Sequence, residues 1–420
     1  MNTIETQATT CCIVGGGPAG IFLGYLLARA GVDVIVLEKH ADFLRDFRGD
    51  TIHPSTFMLL DELGLLEEFL PLTDFHAKTL KVNIDGREFL GPDFSRLKTK
   101  CNFIGFVPQW DFLNLLASKA AEFSTFELRM NTQGVDVVRT GSRITGVQCV
   151  TANESGENRY CIDADLVIAA DGRKSTIRSA TSQRVQEVGI PIDVLWFRLS
   201  RPDVDDRETL AWLRDGHMLI TIPRRDHFQV AMVIQKGGLE SLKKAGIKSF
   251  HAVIAKVCPP LANAARNLTG WSEVKLLSVQ INRLSKWHEE GLLLIGDAAH
   301  AMSPVGGVGI NLAIQDAVAT ANLLAEPLLR GTITQEDLAA VQKRRQGAAH
   351  KTQRLQQFIH RQLFSAGRGP DQPFAPPNYL KWIVRPLAPL LRRLGARWIG
   401  MGFQVEHIRR ELIDGHRDNL

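Results

Sequence analysis

Residues 10–38 read TCCIVGGGPAGIFLGYLLARAGVDVIVLE and contain the pattern that decides the fold. The apolar runs CCIV and VDVIVLE are each typical of a buried strand, whereas the segment between them has helical spacing. Gly15, Gly17 and Gly20 form GxGxxG at the turn between the first strand and the helix. The stretch therefore predicts a βαβ unit of the Rossmann type.

This glycine pattern indicates a dinucleotide site for reasons of geometry and charge. Glycine permits a tight turn and brings the backbone close to a pyrophosphate, whose negative charge is stabilised by the helix N-terminus. Glu38 ends the second strand, where such sites place the acid that accepts ribose hydroxyls. An acid at this position suits a free ribose and is unsuited to a 2′-phosphate. The alternative is a glycine turn with a structural role alone.

Composition sets the broad class of the protein. A chain of 420 residues exceeds what one hydrophobic core usually supports, so we expect two packed domains. Apolar residues make up 45% and charged residues 23%, which predicts an ordered globular chain. The formal net charge of +5 is too small to indicate a nucleic-acid partner.

Neither a metal site nor an export signal is indicated. The six cysteines are scattered without metal-ligand or CxxC spacing, so we expect no metal and no redox disulfide. The first residues, MNTIETQATT, lack the pattern of a signal peptide, and no run of about 18 apolar residues is long enough to span a bilayer. These features predict a cytoplasmic protein.

The predicted fold class is α/β, with a Rossmann-like nucleotide-binding domain, an interleaved β-sheet substrate domain and C-terminal helices. A hairpin predicted at Asp85 and Gly86 marks a point where the chain leaves the first domain. The predicted bounds are 1–75, 106–182 and 285–345 for the discontinuous nucleotide-binding domain, 76–105 and 183–284 for the sheet domain, and 346–420 for the C-terminal helical segment.

Two further motifs follow the glycine turn along the chain. Residues 171–178 read DGRKSTIR, and residues 296–300 read GDAAH, with a proline- and glycine-rich loop at 304–311 after them. With these three motifs in this order, the chain resembles the para-hydroxybenzoate hydroxylase (class A) family of flavin monooxygenases. The resemblance covers most of residues 10–345.

The resemblance implies a bound FAD and a transient NADH or NADPH that reduces it. Gly15, Gly17, Gly20 and Glu38 would hold the ADP half of FAD. Further FAD contacts implied by the resemblance are Arg48 and Gln109 at the pyrophosphate and ribityl chain, Asp297 at the ribityl hydroxyls, Asp171 and Arg178 as supports of the FAD site and nicotinamide groove, and the loop with Pro304, Gly306, Gly309, Ile310 and Asn311 beside the isoalloxazine ring.

Elementary physics supports the last of these assignments. The loop opens a helix near Ile310, so the main-chain N–H groups of Gly309, Ile310 and Asn311 are free and lie at the positive end of the helix dipole. Such donors would stabilise the negative charge of reduced flavin. The alternative is a helix start that needs glycine for structural reasons only.

The chain lacks the second GxGxxG unit and the cysteine pair that are typical of disulfide-reductase flavoproteins. The resemblance implies instead a monooxygenase that uses NAD(P)H and molecular oxygen, through a flavin C4a-hydroperoxide, to hydroxylate or epoxidise a small hydrophobic aromatic substrate. Two alternatives stay open: a reductase or other oxidoreductase such as a halogenase, although the WxWxIP motif is missing, and a flavin-binding regulatory or interaction module.

Candidate residues for substrate binding and catalysis are fewer. The inserted sheet supplies apolar residues on alternating faces, from which Phe197, Ile220, Ile222 and Phe228 are expected to line a substrate cavity. Pro304 beside the flavin and His53 as a base are the candidate catalytic residues. His217 and His227 are other candidate bases, and Arg198 is a candidate ligand for an acidic group or an ordinary ion-pair partner.

The C-terminal stretch YLKWIVRPLAPLLRRLGARWIGMGF, residues 379–403, is apolar and carries four arginines. It predicts either a helix packed on the body of the protein or a peripheral membrane contact. We favour packing because Pro386 and Pro389 are expected to break a long amphipathic helix.

Overall fold

The computed structural model of the protein describes residues 6–44, 51–153, 156–201, 209–363 and 378–415, and the structural statements below concern these residues. The strands are β1 (Thr6–Val14), β2 (Val34–Leu37), β3 (Thr51–Ile52), β4 (Phe75–Ala77), β5 (Thr79–Ile84), β6 (Arg87–Asp93), β7 (Ile104–Phe106), β8 (Phe126–Arg129), β9 (Thr132–Thr140), β10 (Arg143–Asn153), β11 (Gly156–Ala169), β12 (Val185–Val188), β13 (Ile192–Ser200), β14 (Thr209–Arg214), β15 (His217–Pro223), β16 (His227–Gln235), β17 (Lys275–Ser278), β18 (Ile281–Leu284), β19 (His288–Glu289) and β20 (Leu292–Leu294).

The α-helices alternate with these strands in the first part of the chain and dominate its last part. They are α1 (Pro18–Arg29), α2 (Pro54–Glu62), α3 (Leu66–Phe69), α4 (Gln109–Ala120), α5 (Thr176–Ser179), α6 (Leu239–Ala245), α7 (Ile247–Val257), α8 (Ala262–Ala265), α9 (Asp297–His300), α10 (Gly309–Leu329), α11 (Gln335–Leu363), α12 (Asn378–Met401) and α13 (Arg410–Asp414).

An eight-stranded sheet forms the nucleotide-binding domain. Its parallel strands run in the order β20-β11-β1-β2-β8, and β19 is antiparallel at one edge; β10 pairs antiparallel with β11, and β9 pairs antiparallel with β10. The apolar run CCIV lies in β1 at the centre, where Cys11, Cys12 and Ile13 are fully buried. Helix α1 packs against α10 and α4. A strand that is covered on both faces must be apolar on both, which explains the apolar run in β1. The sheet with its helices is the predicted Rossmann-like α/β fold.

The inserted sheet has seven strands in the order β17-β13-β16-β15-β14-β5-β6. Strands β5 and β6 come from residues 79–93, and β5 pairs in parallel with β14 from the later insertion, so the two segments form one sheet. The predicted hairpin is confirmed: Asp85 and Gly86 have φ angles of 51° and 83°, and β5 pairs antiparallel with β6. A positive φ at both central residues is what a tight hairpin turn needs.

The C-terminal helices lie against both units. Helix α11 runs through residues 345 and 346, so the predicted start of the C-terminal segment falls inside a helix. Helix α12 packs against β6 and the 3₁₀ turn Phe94–Arg96. It is continuous through Pro386 and Pro389, so the prediction that these prolines break the helix is wrong. A proline removes one hydrogen bond and bends a helix, but packing of the flanking turns can hold the helix together.

Among the described residues, one helix, Val305–Leu329, is long and apolar enough to cross a membrane by length and composition. The share of its most apolar window that is buried inside the protein is 72%. Such burial is typical of a core helix in a soluble protein, and α10 indeed packs on α1 and α11. The cytoplasmic location stays a prediction.

Candidate active site

A cavity of about 2290 Å³ lies between the two sheets. The glycine turn after β1, the loop before α10 and one face of the inserted sheet all contribute to its lining, together with the second half of α12. The three sequence motifs therefore meet at one cavity, although more than 280 residues of chain separate Gly15 from Asp297 and both line it.

The glycine turn is held by two close backbone approaches. A Cβ atom on Gly15, whose φ is +113°, would lie 2.5 Å from the carbonyl oxygen of Ala170. A Cβ on Gly20 would lie 1.9 Å from the carbonyl oxygen of Gly15. Gly17 has open space around its Cβ position and lines the cavity. Gly20 thus acts in packing, whereas Gly15 and Gly17 present backbone to the cavity.

Glu38 lies beside this turn with its carboxylate fixed. Its Oε2 accepts a hydrogen bond from the Gly16 N–H at 3.2 Å, and its Oε1 accepts one from the His40 N–H at 3.1 Å. The side chain is 12% exposed and lines the cavity. A carboxylate held in this way keeps lone pairs available for ligand hydroxyls.

The DGRKSTIR and GDAAH motifs meet beside the glycine turn, since a Cβ on Gly15 would lie 2.8 Å from Asp171 Cα. Arg173 donates from Nη2 to Asp297 Oδ2 at 3.2 Å, and Arg178 donates to the carbonyl oxygens of Arg173 and Ala298 at 2.6 and 2.8 Å. Asp171 Oδ2 accepts the N–H groups of residues 176 and 177. Burial raises the pKa of Asp171 above its ordinary value. Arg178 does not line the cavity and supports residues that do.

Arg173 was not among the predicted site residues, although it stands in the DGRKSTIR motif. Its Nη1 atom is buried without a hydrogen-bond partner among the described residues, and so is Asp171 Oδ1. Both residues line the cavity. Buried polar atoms without partners are rare in proteins, so this pair indicates a missing polar ligand.

The loop between α9 and α10 is shaped by glycines and held by α11. Gly306 and Gly307 have φ angles of +84° and +63°. Gln356 accepts the Ser303 N–H and donates to the carbonyl oxygens of Ser303 and Val305 at 2.9 Å each. Sequence reasoning missed Gln356, because a glutamine in a polar helix has no motif that distinguishes it.

The cavity end of this loop presents main-chain donors. Pro304, Gly306, Gly309 and Ile310 line the cavity. Helix geometry leaves the first N–H groups of α10 without acceptors inside the helix. Asn311 does not line the cavity: its side-chain oxygen accepts the His53 N–H at 3.0 Å and ties α10 to the segment before α2.

His53 lines the cavity but is fully buried. Burial lowers its pKa to about 4, so its ring is neutral at physiological pH. Nδ1 lies 2.7 Å from the carbonyl oxygen of Ile399 and must donate to it, which leaves Nε2 as the acceptor beside the Thr51 hydroxyl at 3.2 Å. The ring is therefore fixed in one tautomer.

The inserted sheet lines the cavity with one of its faces. The predicted residues Ile220 and Ile222 are on this face. Phe197 and Phe228 are not: both are buried in the core between the sheet and α7, where Phe197 contacts the ring of Phe250. The prediction for Phe197 and Phe228 is corrected, because side chains alternate along a strand and these two point to the opposite face. The sheet residues lining the cavity include Val194, Trp196, Met218, Ile220, Ile222, Ala231 and Val233.

The remaining candidates lie elsewhere or outside the described residues. His217 and His227 do not line the cavity and contact the carbonyl of Asp215 and the carboxylate of Asp226. Arg198 is exposed and also lies away from the cavity. Gln109 lines the cavity at the start of α4. Arg48 lies outside the described residues.

Helix α12 closes the cavity, which the sequence did not predict. Leu390, Leu394, Trp398 and Met401 line it, and a Cβ on Gly306 would lie 3.3 Å from the Trp398 ring. Leu390 and Leu394 line the cavity but are 53% and 54% exposed, whereas Trp398 and Met401 are partly buried. This arrangement agrees with packing on the body of the protein, and the membrane contact stays an untested prediction.

These residues fit FAD. The glycine turn offers an open backbone cradle at the N-terminus of α1, Glu38 offers acceptors for a ribose, and the orphaned polar atoms of Asp171 and Arg173 call for a polar partner. The volume is more than twice the roughly 1000 Å³ of a large single-ligand pocket, so a second ligand has room beside a dinucleotide.

Comparison with known proteins also indicates an FAD-binding protein. The profile of the family described as "FAD binding domain" matches residues 8–356. The 6-methylpretetramide 4-monooxygenase of Streptomyces rimosus is 31% identical over 416 residues, which cover 97% of this chain and 95% of that protein.

Two solved structures share the fold. PqsL, a probable FAD-dependent monooxygenase from Pseudomonas aeruginosa, has a TM-score of 0.71 at 23% identity and covers 86% of this chain and 97% of its own. OxyS anhydrotetracycline hydroxylase from Streptomyces rimosus has a TM-score of 0.72 at 21% identity, with coverages of 94% and 76%.

Fold and site together define an FAD-dependent oxidoreductase. With the profile match and the 31% identical relative, the chain belongs to the para-hydroxybenzoate hydroxylase-like family of FAD-dependent aromatic monooxygenases. It is an FAD-dependent monooxygenase, and FAD is its cofactor.

Proposed function

We propose that the protein uses NAD(P)H and molecular oxygen to hydroxylate a multi-ring hydrophobic aromatic compound. The observation that carries this proposal is the continuity of one cavity from the glycine turn to the apolar face of the inserted sheet. The relative from Streptomyces rimosus is named for 6-methylpretetramide, which supports an aromatic substrate of that kind.

In this proposal FAD would be held by cavity residues from the glycine turn to the loop before α10. Gly15, Gly17 and Glu38 bind its ADP half, with Gly20 holding the turn. Gln109 would contact the middle of the cofactor, and Asp297, which accepts a hydrogen bond from Arg173 at 3.2 Å, would accept from the ribityl hydroxyls. When bound, FAD supplies the redox and oxygen chemistry, and the protein supplies position and electrostatics.

The loop before α10 serves the ring end of the cofactor. Pro304 and Gly306 would lie beside the ring, and the N–H groups of Gly309 and Ile310 would donate to its edge. Asn311 acts indirectly, because its side chain holds the start of α10 against the His53 backbone. The donors are fixed before the ligand arrives, so no reorganisation is needed when negative charge develops.

His53 has a restricted role in this arrangement. Its fixed tautomer offers only Nε2 as an acceptor, which holds the Thr51 hydroxyl beside Gly307. We propose that His53 positions this hydroxyl and shapes the loop, and that it takes up no proton at neutral pH because burial keeps its pKa at about 4.

The substrate occupies the chamber between the sheet face and α12. Ile220 and Trp196 lie on one wall, and Trp398 lies on the other beside the glycine loop. Apolar walls on both sides favour flat rings and exclude water from the reacting position.

The test uses purified holoenzyme and a panel of fused-ring phenols, including anhydrotetracycline, with NADH or NADPH in air. We expect one compound to accelerate nicotinamide oxidation and to give a product that gains one oxygen atom, labelled when isotopic oxygen gas is supplied. Turnover that continues without oxygen, with a reduced product, would identify a reductase. If no compound accelerates nicotinamide oxidation and the protein binds a partner in a redox-dependent way, the result would favour a flavin-binding regulatory module.

Filling the chamber should separate substrate binding from FAD binding. Replacing Ile220 by tryptophan adds bulk on the cavity face of β15, and we expect kcat/KM for the active aromatic to fall by about tenfold or more, since overpacking costs about 1–3 kcal/mol. The bound FAD and its absorbance should be unchanged. Ile220→Val is the matched control and should retain activity. Loss of FAD from the tryptophan variant would contradict the placement of the substrate.

A further inference from the structure

The second half of α12 carries two cations on the face that lines the cavity. Arg393 and Arg397 are four residues apart, so they lie on the same side of the helix. Within the described parts of the chain, neither makes a hydrogen bond or an ion pair. Their neighbour Arg392 differs, because it donates to the carbonyl oxygen of Gly91 at 2.9 Å and faces Asp93 at 3.7 Å.

A third cation comes from the loop that packs against this helix. Lys98 lines the same cavity and also has no hydrogen bond or ion pair with a described residue. The loop and the helix are in contact, since a Cβ on Gly400 would lie 2.8 Å from Leu97 Cδ1. Lys98 therefore belongs to the same end of the cavity as the two arginines.

Acidic side chains do not balance these charges. Among the described residues that line this end of the cavity, Asp93 is the one carboxylate; it accepts from Ser95 at 2.6 Å and faces Arg392 and Arg96. The hydroxyl of Ser95 holds the pKa of Asp93 below its ordinary value, so the carboxylate is charged and already engaged. The cavity end thus has an excess of positive charge next to the apolar residues Leu394 and Trp398.

We propose that Arg393 and Arg397, assisted by Lys98, bind an anionic oxygen group of the aromatic substrate, a carboxylate or an acidic enol. Guanidinium groups match the geometry of such oxygens and also stack on aromatic rings. A ligand with an apolar ring body and one acidic edge fits this end of the chamber. The inference rests on the proposed function and adds the substrate class: an aromatic acid.

The experiment measures ligand binding, so it does not depend on turnover. Anthracene-2-carboxylate and its neutral carboxamide are titrated into the oxidised holoenzyme, and the change in FAD absorbance gives each Kd. We expect the carboxylate to bind about tenfold more tightly, as charge-assisted hydrogen bonds allow. The preference should shrink at high ionic strength.

Substitutions show which cations produce the preference for the carboxylate. In Arg393→Gln/Arg397→Gln the preference for the carboxylate should disappear while FAD content is unchanged, and Arg397→Lys should keep part of it. Arg410→Gln removes a cation that is 89% exposed on α13 and should keep the full preference. An unchanged preference in the double variant overturns the proposal.

A separate measurement tests whether the arginines bind a phosphate of the nicotinamide cofactor instead of the substrate anion. KM values for NADPH and NADH are measured with each variant. A rise in these values, with the carboxylate preference intact, would overturn the proposal in favour of a cofactor phosphate site. Failure of the oxygenation screen leaves the binding result standing, so failure of the proposed function is distinguished from failure of this inference.

Discussion

Gly20→Ala should yield a colourless, poorly folded protein. The added Cβ would lie 1.9 Å from the carbonyl oxygen of Gly15. No rotamer change relieves this clash, because the backbone fixes the position of the Cβ and the oxygen is itself a backbone atom. Either α1 moves away from β1 or the turn opens, and both changes remove the backbone cradle at the N-terminus of α1. FAD absorbance of the purified protein and thermal melting measure the effect.

Two further glycine substitutions separate the effect of the backbone clash from the effect of adding a Cβ in open space. Gly347→Ala adds a Cβ into open space on α11 and should be neutral or stabilise by about 1 kcal/mol, as alanine favours helices. Gly17→Ala also meets nothing within the protein, so we expect a normal melting temperature for the apoprotein together with weaker FAD binding. Gly20→Ala protein that binds FAD normally would contradict the role of this close approach.

Arg345→Met should destabilise the protein by about 3–5 kcal/mol, the usual cost of leaving a buried charge without its partner. Arg345 is fully buried, and it donates to Asp316 Oδ1 at 2.9 Å and to Glu406 Oε1 at 3.0 Å. Burial alone would raise the pKa of Asp316, but His300 and Arg345 outweigh it and hold the pKa below its ordinary value. Removing the arginine leaves Asp316 with His300 and Glu406 with Arg344 as the remaining partners of the two buried carboxylates. Denaturant unfolding measures the loss.

Arg344 supplies the matched control. It pairs with the same Glu406 at 3.0 Å, but its side chain is 51% exposed, so solvent weakens the pair. We expect Arg344→Met to cost about 1 kcal/mol or less. Equal losses for the two variants would show that burial does not decide the strength of this network.

Asp316 also connects the network to the cofactor site. Its Oδ2 accepts the Gly296 N–H at 3.2 Å and contacts His300 Nε2 at 2.6 Å. Gly296 precedes Asp297, the proposed ribityl ligand. We therefore expect the FAD that remains in Arg345→Met to dissociate more readily than from the native protein.

The sequence predicted the elements whose signals are local. The glycine turn, the strand in VDVIVLE and the start of α10 follow from short patterns, because apolar periodicity and backbone geometry act within a few residues. The hairpin at Asp85 and Gly86 is another such case. Resemblance to a family added the cofactor and the order of the motifs.

Features that depend on distant contacts could not be predicted. Alternation along β13 shows that Val194 and Phe197 face opposite ways, but it does not show which side is the chamber. The position of α12 beside Gly306 and the packing of Gln356 under the loop depend on chain segments that are far apart in sequence. The prediction that Pro386 and Pro389 break α12 was wrong because it considered only the local effect of a proline on a helix, whereas α12 also packs against β6.

The pairing of β5 with β14 brings together stretches more than 120 residues apart, and α12 then seals the edge of β6. During synthesis the strands of both sheets therefore emerge before α12, the helix that lines one side of the cavity. Non-local pairings of this kind are slow to form, so the last step of maturation should be the docking of α12. A cofactor captured early would remain open to solvent until then, and productive oxygen transfer would begin only when this late helix has closed over it.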